Sequence, residues 1–272
     1  MTQPTREPDE FDLQVAQALR RLQPNSVIEL TGPRELVVDG RRLDLENLYR
    51  LAAHDPSRRR EIVDHYLEQL FSGEAATVAA LSFDMVRARI MPRIQPESIF
   101  KHLDRAQVAH VPFVNGTALV FVIDMPLMTV SVTTEQSVRW GVSPAELETL
   151  ARENLREHSS PLELQMVTSR EGGKAAIISQ QDGYDAARVI LSGLHRQLSP
   201  RLGPDFYVAT PARDMFVALS TGPEQFVHRL TERVNLDFLR LPYPIIPSLF
   251  LVTRDGVAGT VPGERDELFE AA

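Results

Sequence analysis

Apolar residues recur at helical spacing in the first third of the chain. Phe11, Val15, Leu19 and Leu22 stand three or four positions apart, which is the pattern of a helix with one buried face. The same spacing predicts three helices here, at residues 11–22, 43–53 and 58–71. Two short apolar runs, Val27–Leu30 and Glu35–Val38, predict a hairpin between the first two helices.

Alternating patterns replace the helical spacing after residue 81. Met85–Met91 alternates along its length and predicts a strand, and residues 97–103 predict a short helix. Val108–Val114 and Leu119–Met125 predict two more strands, because both are rich in apolar and β-branched residues. The Asn115-Gly116 pair between them is typical of a tight hairpin turn.

Helix caps alternate with pairs of strands in the last part of the chain. Residues 143–146, 182–185 and 221–224 each predict a helix start, and successive starts lie 182 − 143 = 39 and 221 − 182 = 39 positions apart. Each helix precedes two strand-like runs: 164–168 with 175–179, 206–210 with 215–219, and 249–253 with 257–260. The order predicts an α+β fold, an antiparallel sheet built from hairpins alternating with helices. A three-fold helix–hairpin repeat over residues 143–260 is a hypothesis, because the units share little sequence.

Four segments follow from these patterns. Residues 1–10 predict a flexible tail, residues 11–80 a mostly helical N-terminal region, residues 81–262 an α+β domain, and residues 263–272 an acidic tail.

Composition narrows the class of protein. The 272 residues carry a net charge of −8, which argues against a nonspecific nucleic-acid binder. The chain has no cysteine, which excludes disulfides and thiolate chemistry. Its longest apolar stretch, residues 118–128, is interrupted by Asp124 and Pro126 and is too short to span a bilayer. The N-terminus lacks the apolar segment of a signal peptide. We therefore expect a soluble cytoplasmic protein.

Linear motifs of catalysis are absent. The seven histidines show no metal-binding spacing, and the chain has no phosphate-binding glycine loop and no Gly-x-Ser-x-Gly nucleophile motif. We therefore expect no metal and no cofactor, and we favour a non-catalytic protein.

Asp182, Asp185 and Arg188 form the first candidate site. They fall away from the apolar stripe of the helix predicted to follow residue 182, a stripe that begins with Tyr184. Together they could form a small polar site at a helix end. The alternative is a helix cap with an ion pair between residues three apart. We favour this alternative because helix caps are more common than functional sites.

Two further groups of polar residues stand out. Arg87 and Arg89 lie on one face of the predicted strand, with Arg93 beyond Pro92, and could hold a phosphate or carboxylate. We favour the solvated face of an edge strand instead. Asn154 falls within the apolar stripe of the helix predicted to start at residue 143. There it either ties that helix to a neighbouring turn, which we favour, or lines a pocket.

Four short segments carry a family resemblance over roughly residues 80–260. Asp182–Arg188, with the sequence Asp-Gly-Tyr-Asp-Ala-Ala-Arg, resembles the signature stretch of the bacterial YtpQ family, a domain of unknown function. Residues 88–92, 153–156 and 210–219 are similar to other motifs of that family in the same order. Arg87 and Arg93 are not part of the family pattern. The resemblance implies important positions, including Arg89, Asn154 and Asp214, and no chemistry.

Three functions remain. We favour a non-catalytic intracellular binding or interaction module whose partner is a protein or a small anionic ligand. The second is an enzyme or sensor for a small anion, in which Asp182, Asp185 and Arg188 join Arg89 and Asp214 in one cleft. The third, a nucleic-acid or membrane-surface protein, rests on the local arginines alone.

Overall fold

The computed structural model describes residues 9–71, 80–101, 103–125 and 129–260. The chain divides into two compact units, Met1–Thr77 with Arg240–Tyr243, and Val78–Leu239 with Pro244–Ala272. The two predicted tails lie outside the described residues except for Asp9 and Glu10, which belong to the start of the first helix. The predicted division into domains at residues 80 and 262 stays a prediction.

The first unit packs three helices against a small antiparallel sheet. The helices are α1 (Glu10–Leu22), α2 (Glu46–His54) and α3 (Arg59–Phe71), and a 3-10 helix, Pro56–Arg58, precedes α3. The sheet has the order β1 (Ile28–Gly32), β2 (Glu35–Val38) and β3 (Arg41–Asp44). The predicted hairpin and helices are present, but residues 43 and 44 belong to β3 and α2 begins only at Glu46. The predicted helix start was wrong because this segment completes the sheet by pairing with β2.

A four-stranded antiparallel sheet opens the second unit. Its strands are β4 (Ile90–Pro96), β5 (His110–Phe113), β6 (Thr117–Asp124) and β7 (Thr129–Ser131), and the other three all pair with β6. The predicted β5–β6 hairpin is confirmed, and its turn residues Asn115 and Gly116 have φ angles of 60° and 65°. The predicted helix at 97–103 is a 3-10 helix over Glu97–Lys101.

The predicted strand at Met85–Met91 is wrong. Residues Phe83–Val86 form a short helix, α4, and Arg87–Arg89 form a 3-10 helix, so β4 begins only at Ile90. Val86 and Ile90 are both fully buried, and their spacing of four fits a helical turn as well as it fits alternation. Pro92 does not end the strand, because β4 pairs with β6 alone and an edge strand needs few of its N–H groups.

The two faces of this sheet differ. Ile90 and Phe121 cluster with Leu147 and Ala151 of the helix Pro144–His158. The opposite face, which we call the cavity face, carries Met91, Arg93 and Gln95 of β4 and the residues paired with them on β6. The polar side chains of β4, Arg93 and Gln95, therefore both point to the cavity face.

Three hairpins form the second, six-stranded sheet. They are β8 (Gln165–Thr168) with β9 (Lys174–Ile178), β10 (Phe206–Ala209) with β11 (Phe216–Ser220), and β12 (Leu249–Thr253) with β13 (Gly256–Gly259). The strand order is β13-β12-β10-β11-β9-β8, with every pairing antiparallel. The predicted α+β class and all six predicted strands are confirmed.

Helices α5 (Thr134–Trp140), α6 (Pro144–His158), α7 (Leu194–Leu202) and α8 (Glu224–Arg240) complete the second unit. The capping box predicted for α6 is confirmed, with the Ser143 hydroxyl accepting from the Glu146 N–H. One face of the six-stranded sheet buries Phe206, Phe216 and Phe250 with Leu198 of α7. The other face clusters Leu219 with Phe226 of α8.

The helix predicted to start at residue 182 is wrong. Residues Ala186–Ile190 form a 3-10 helix, and the α-helix of this segment, α7, begins at Leu194. The Asp185 carboxylate makes no cap hydrogen bond to the turn that follows, since it accepts instead from the backbone N–H groups of Gln180 and Gln181 before it. The three-fold repeat stays a prediction.

Candidate functional site

Arg188 is the centre of the loop formed by residues 182–188. Its guanidinium is fully buried and donates to both oxygens of Asp182, at 2.9 and 2.5 Å, and to Asp185 Oδ1, at 2.7 Å. The remaining Nε–H donates to Ser159 Oγ at 3.1 Å. Every nitrogen of this guanidinium is therefore engaged within the protein, and Arg188 fixes the shape of the loop.

The pKa values of the two carboxyls on Arg188 are shifted in opposite directions. Burial by itself raises the pKa of Asp182, but the hydrogen bonds and charge of Arg188 more than offset it and bring the pKa to about 2. Burial raises the pKa of Asp185 above its ordinary value despite its N–H partners and Arg188. Asp182 also accepts from the Tyr184 N–H at 3.0 Å and lies 2.9 Å from His158 Nε2. The predicted ion pair at three-residue spacing is confirmed, between Asp185 and Arg188.

Asp214 attaches this loop to the β10–β11 hairpin. Its Oδ1 accepts from the Gly183 N–H at 2.7 Å, and its Oδ2 accepts from both Nε and Nη2 of Arg213, at 3.1 and 2.9 Å. The Ala186 N–H donates to the Arg213 carbonyl at 3.0 Å. The structure therefore brings the predicted residues Asp182, Asp185, Arg188 and Asp214 together as one hydrogen-bonded framework.

Gly183 lets two arginines approach the loop. Its φ is +86°, a conformation that side chains rarely adopt, and a Cβ there would lie 3.4 Å from Arg93 Nη2 and 3.9 Å from Arg213 Nε. Two positive groups thus converge on one turn. The Arg213 charge is balanced by Asp214, which leaves Arg93 as the cation to be accounted for.

Among the described residues, Arg93 has no carboxylate at ion-pair distance, although Asp124 is near enough to act on its pKa. Within the described ranges it forms no ion pair, and its buried Nε has no hydrogen-bond partner. Its guanidinium carbon lies 5.5 Å from the centroid of the Tyr184 ring. Burial lowers the pKa of Arg93, Arg213 lowers it further, and Tyr184 and Asp124 oppose them without reversing the direction. The surroundings therefore leave its positive charge poorly compensated.

Tyr184 covers Arg93 from the side of the loop. Its side chain is 2% exposed, and its hydroxyl lies close to both Arg93 and Asp124, the two charged groups that act on its pKa. Burial holds the pKa of Tyr184 well above its ordinary value, so the hydroxyl keeps its proton.

A cavity of about 70 Å³ opens beside Arg93 on the cavity face. Four of its lining residues are polar and six are apolar. The lining residues are Arg93, Gln95, Thr129 and Ser131, with Ile99, Phe100, Leu103, Val108, Val120 and Val122. The cavity face therefore holds a small space with a cation at its wall.

Arg89 and Asn154 lie elsewhere. Arg89 is exposed in the 3-10 helix before β4 and directs Nη1 toward Met125 Sδ at 4.0 Å; no contact in the described part of the chain joins it to Asp182, Asp185 or Asp214. Asn154 Nδ2 donates to the carbonyls of Arg87 and Ile90, each at 2.8 Å. Asn154 thus ties α6 to the turn before β4, the role that the sequence favoured.

Sequence reasoning missed Arg93 and Arg213 as members of this cluster. The predicted strand ended at Met91, before Pro92, so Arg93 was not placed on it. In the structure β4 continues through Pro92 to Pro96. Arg213 lies within the Pro-x-x-Asp segment of residues 211–214 and carries no signal of its own. A polar residue beside Pro in an otherwise apolar strand was the available signal for Arg93.

The described ranges contain neither a cluster of metal ligands nor a membrane-spanning helix. No group of three or more histidine, aspartate or glutamate side chains is arranged to hold a metal ion there. None of the helices in the same ranges combines the length and hydropathy needed to cross a bilayer.

Comparison with known proteins gives one partial similarity. The chain is similar to UPF0354 protein BH3252 of Halalkalibacterium halodurans. The two are 28% identical over 119 residues, which cover 43% of this chain and 43% of the relative. The similarity therefore spans less than half of the relative's length and supports a link to an uncharacterised bacterial family. No protein-family model matches the chain, and no solved structure matches it significantly.

Asp182 makes the stability of this loop depend on pH. A carboxyl whose folded pKa is about 2, below its ordinary value of 3.8, stabilises the fold above about pH 4 and loses that contribution as the pH falls toward 2. We expect Asp182→Asn to be less stable than the parent by about 1–2 kcal/mol at pH 5, and the gap to narrow by pH 2.5. Urea unfolding of both proteins at the two pH values measures the gap. A gap that stays constant would contradict the ionic role of Asp182.

Proposed function

We propose that this protein is a non-catalytic binding protein for a small anionic ligand, held beside Arg93 on the cavity face. The observation that carries the proposal is the poorly compensated guanidinium of Arg93, a residue that lines the cavity. An anion in the cavity would balance this positive charge and accept hydrogen bonds from the guanidinium. This is the more specific form of the binding module that the sequence favours.

The neighbouring charges support binding rather than catalysis. Asp182 and Asp185 are committed to Arg188, and Asp214 is committed to Arg213 and the Gly183 N–H. A general base needs a carboxylate within reach of the substrate and free to take its proton. The enzyme alternative, which places Asp182, Asp185, Arg188, Arg89 and Asp214 around the ligand, gains no such base from these contacts and stays a prediction.

Arg93→Gln is expected to abolish binding. In the parent protein, an anion at about one hundred times its Kd stabilises the native state by about 2.7 kcal/mol and raises the Tm by roughly 5–10 °C. The measurement is a thermal-shift screen with the sodium salts of phosphate, sulfate and simple carboxylates at constant ionic strength. The Tm rise should vanish in Arg93→Gln.

Two further arginines serve as comparisons in that screen. Arg87→Gln removes an exposed cation three residues before β4 and should keep the full Tm rise. Arg89→Gln tests the site predicted from the sequence and should also keep it. A Tm rise that survives Arg93→Gln, or that is lost in Arg89→Gln alone, would exclude the site proposed here.

The family of this protein and its location in the cell are also proposals. The ordered motifs at residues 88–92, 153–156, 182–188 and 210–219, together with the partial similarity to UPF0354 protein BH3252, support membership of the YtpQ family. The absence of cysteine supports a cytoplasmic location.

A further inference from the structure

We propose that the ligand is a short aliphatic monocarboxylate, such as acetate, propionate or butyrate, with its carboxylate on Arg93 and its tail against the apolar wall. This inference rests on the anion-binding function proposed above and names the chemical class of the anion. It follows from how polar and apolar groups are distributed around the cavity, from the cavity's size and from the number of hydrogen-bond donors.

The polar and apolar groups come from different elements. Arg93 and Gln95 stand at alternate positions of β4, and Thr129 and Ser131 stand at alternate positions of β7. Both pairs flank β6, which contributes Val120 and Val122 between them. The other four lining residues, Ile99, Phe100, Leu103 and Val108, are apolar as well. Six of the ten lining residues are therefore apolar, which favours a ligand with an apolar part.

The number of donors favours a carboxylate over phosphate or sulfate. A carboxylate presents two oxygens, which one guanidinium can engage side by side. A tetrahedral oxyanion presents up to four oxygens, and those turned toward Val120, Val122 and Leu103 would lose their hydration without gaining a donor. The Gln95 amide and the hydroxyls of Thr129 and Ser131 are the other donors of the wall, and Arg93 with any one of them satisfies both carboxylate oxygens.

The volume limits the length of the tail. A buried water needs about 10–15 Å³ measured in the same way, so a cavity of about 70 Å³ holds roughly five groups of that size. A carboxylate with one to three further carbons fits this space, and a chain of six carbons exceeds it. Each methylene that enters the apolar part should tighten binding about fourfold.

Titration calorimetry of the full chain with formate, acetate, propionate, butyrate, hexanoate and phosphate tests the proposal. We expect Kd to fall about fourfold per carbon from acetate to butyrate, and hexanoate and phosphate to bind at least tenfold more weakly than butyrate. If phosphate binds as tightly as butyrate, or if chain length has no effect, the carboxylate inference is overturned while anion binding stands. If none of these anions binds, the proposed function itself falls.

Two variants of the cavity wall change the expected length preference in opposite directions. Ser131→Leu fills the cavity and should weaken butyrate at least tenfold while sparing formate. Val120→Ala enlarges it and should bring hexanoate to the affinity of butyrate. Thr149→Leu, an exposed position on α6, adds similar bulk outside the cavity and should change nothing. If neither Ser131→Leu nor Val120→Ala alters the preference, the ligand does not occupy this cavity. Each variant keeps the test valid if the other fails to fold.

Discussion

Arg188→Met is expected to lower the free energy of unfolding by roughly 3–5 kcal/mol. The substitution keeps much of the side-chain volume but removes the cation that compensates Asp182 and Asp185. The Asp185 side chain is fully buried, so its charge would be left without a counter-ion in a low-dielectric interior. Ser159 would lose its hydrogen bond from Nε as well. Urea unfolding at pH 7 measures the loss.

The double variant Arg188→Met, Asp185→Asn tests whether the unpaired charge of Asp185 causes this loss of stability. It removes the buried charge together with its counter-ion, and we expect it to be more stable than Arg188→Met alone, because unpaired charge is the main penalty. An exposed pair of the same chemistry is the control. Arg58 pairs with Glu61 at 2.6 Å, at the same three-residue spacing, and the two side chains are 61% and 64% exposed, so Arg58→Met should have little effect. Equal losses at Arg188 and Arg58 would show that burial of the first pair is not what matters.

Gly173→Ala is expected to destabilise the protein by roughly 1–3 kcal/mol, at the upper end of that range. A Cβ at this position would lie 2.2 Å from Phe226 Cγ and 2.3 Å from Cδ1, far inside van der Waals contact. The Phe226 ring is 4% exposed and belongs to the cluster under α8, so it has little room to move. One methyl group would therefore push the α8 helix away from the β8–β9 turn.

A shorter side chain at the contact should restore stability. Chemical unfolding of Gly173→Ala in the parent and in a Phe226→Leu background gives the coupling between the two positions. We expect Gly173→Ala to be clearly less harmful in the second background. Gly32→Ala, where a Cβ would meet no atom within 4 Å, is the control and should change stability by no more than about 0.5 kcal/mol. The same loss in both backgrounds would rule out the clash with Phe226.

Hairpins were the most predictable part of the fold. The turn residues Asn115-Gly116 and Gly172-Gly173 fix local backbone geometry, so the strands that they join could be located from sequence alone. The prediction of secondary structure failed where a short polar motif is compatible with two different local structures. The sequence at residues 182–185 fits a helix cap, but its carboxylates instead bind Arg188 and the N–H groups before them, an outcome that depends on burial.

The candidate site was predictable only in part. Asp182, Asp185 and Arg188 form a local cluster, and the sequence identified it; Asp214 was placed with them by the order of motifs. Arg93 was not, because its importance depends on Pro92 lying at a sheet edge and on Tyr184 folding over it from a distant part of the chain. Local patterns carry no information about such long-range packing.

The order of the six-stranded sheet has a consequence for how the chain folds. Its middle strands, β10 and β11, form one hairpin, and the other two hairpins attach on either side through β12 and β9. Only these two attachments join segments that are far apart in sequence, since the other three pairings close over short turns. Assembly can therefore proceed outward from the middle of the sheet. Its speed should be governed by the entropy of closing two long loops, rather than by the pairing of neighbouring strands.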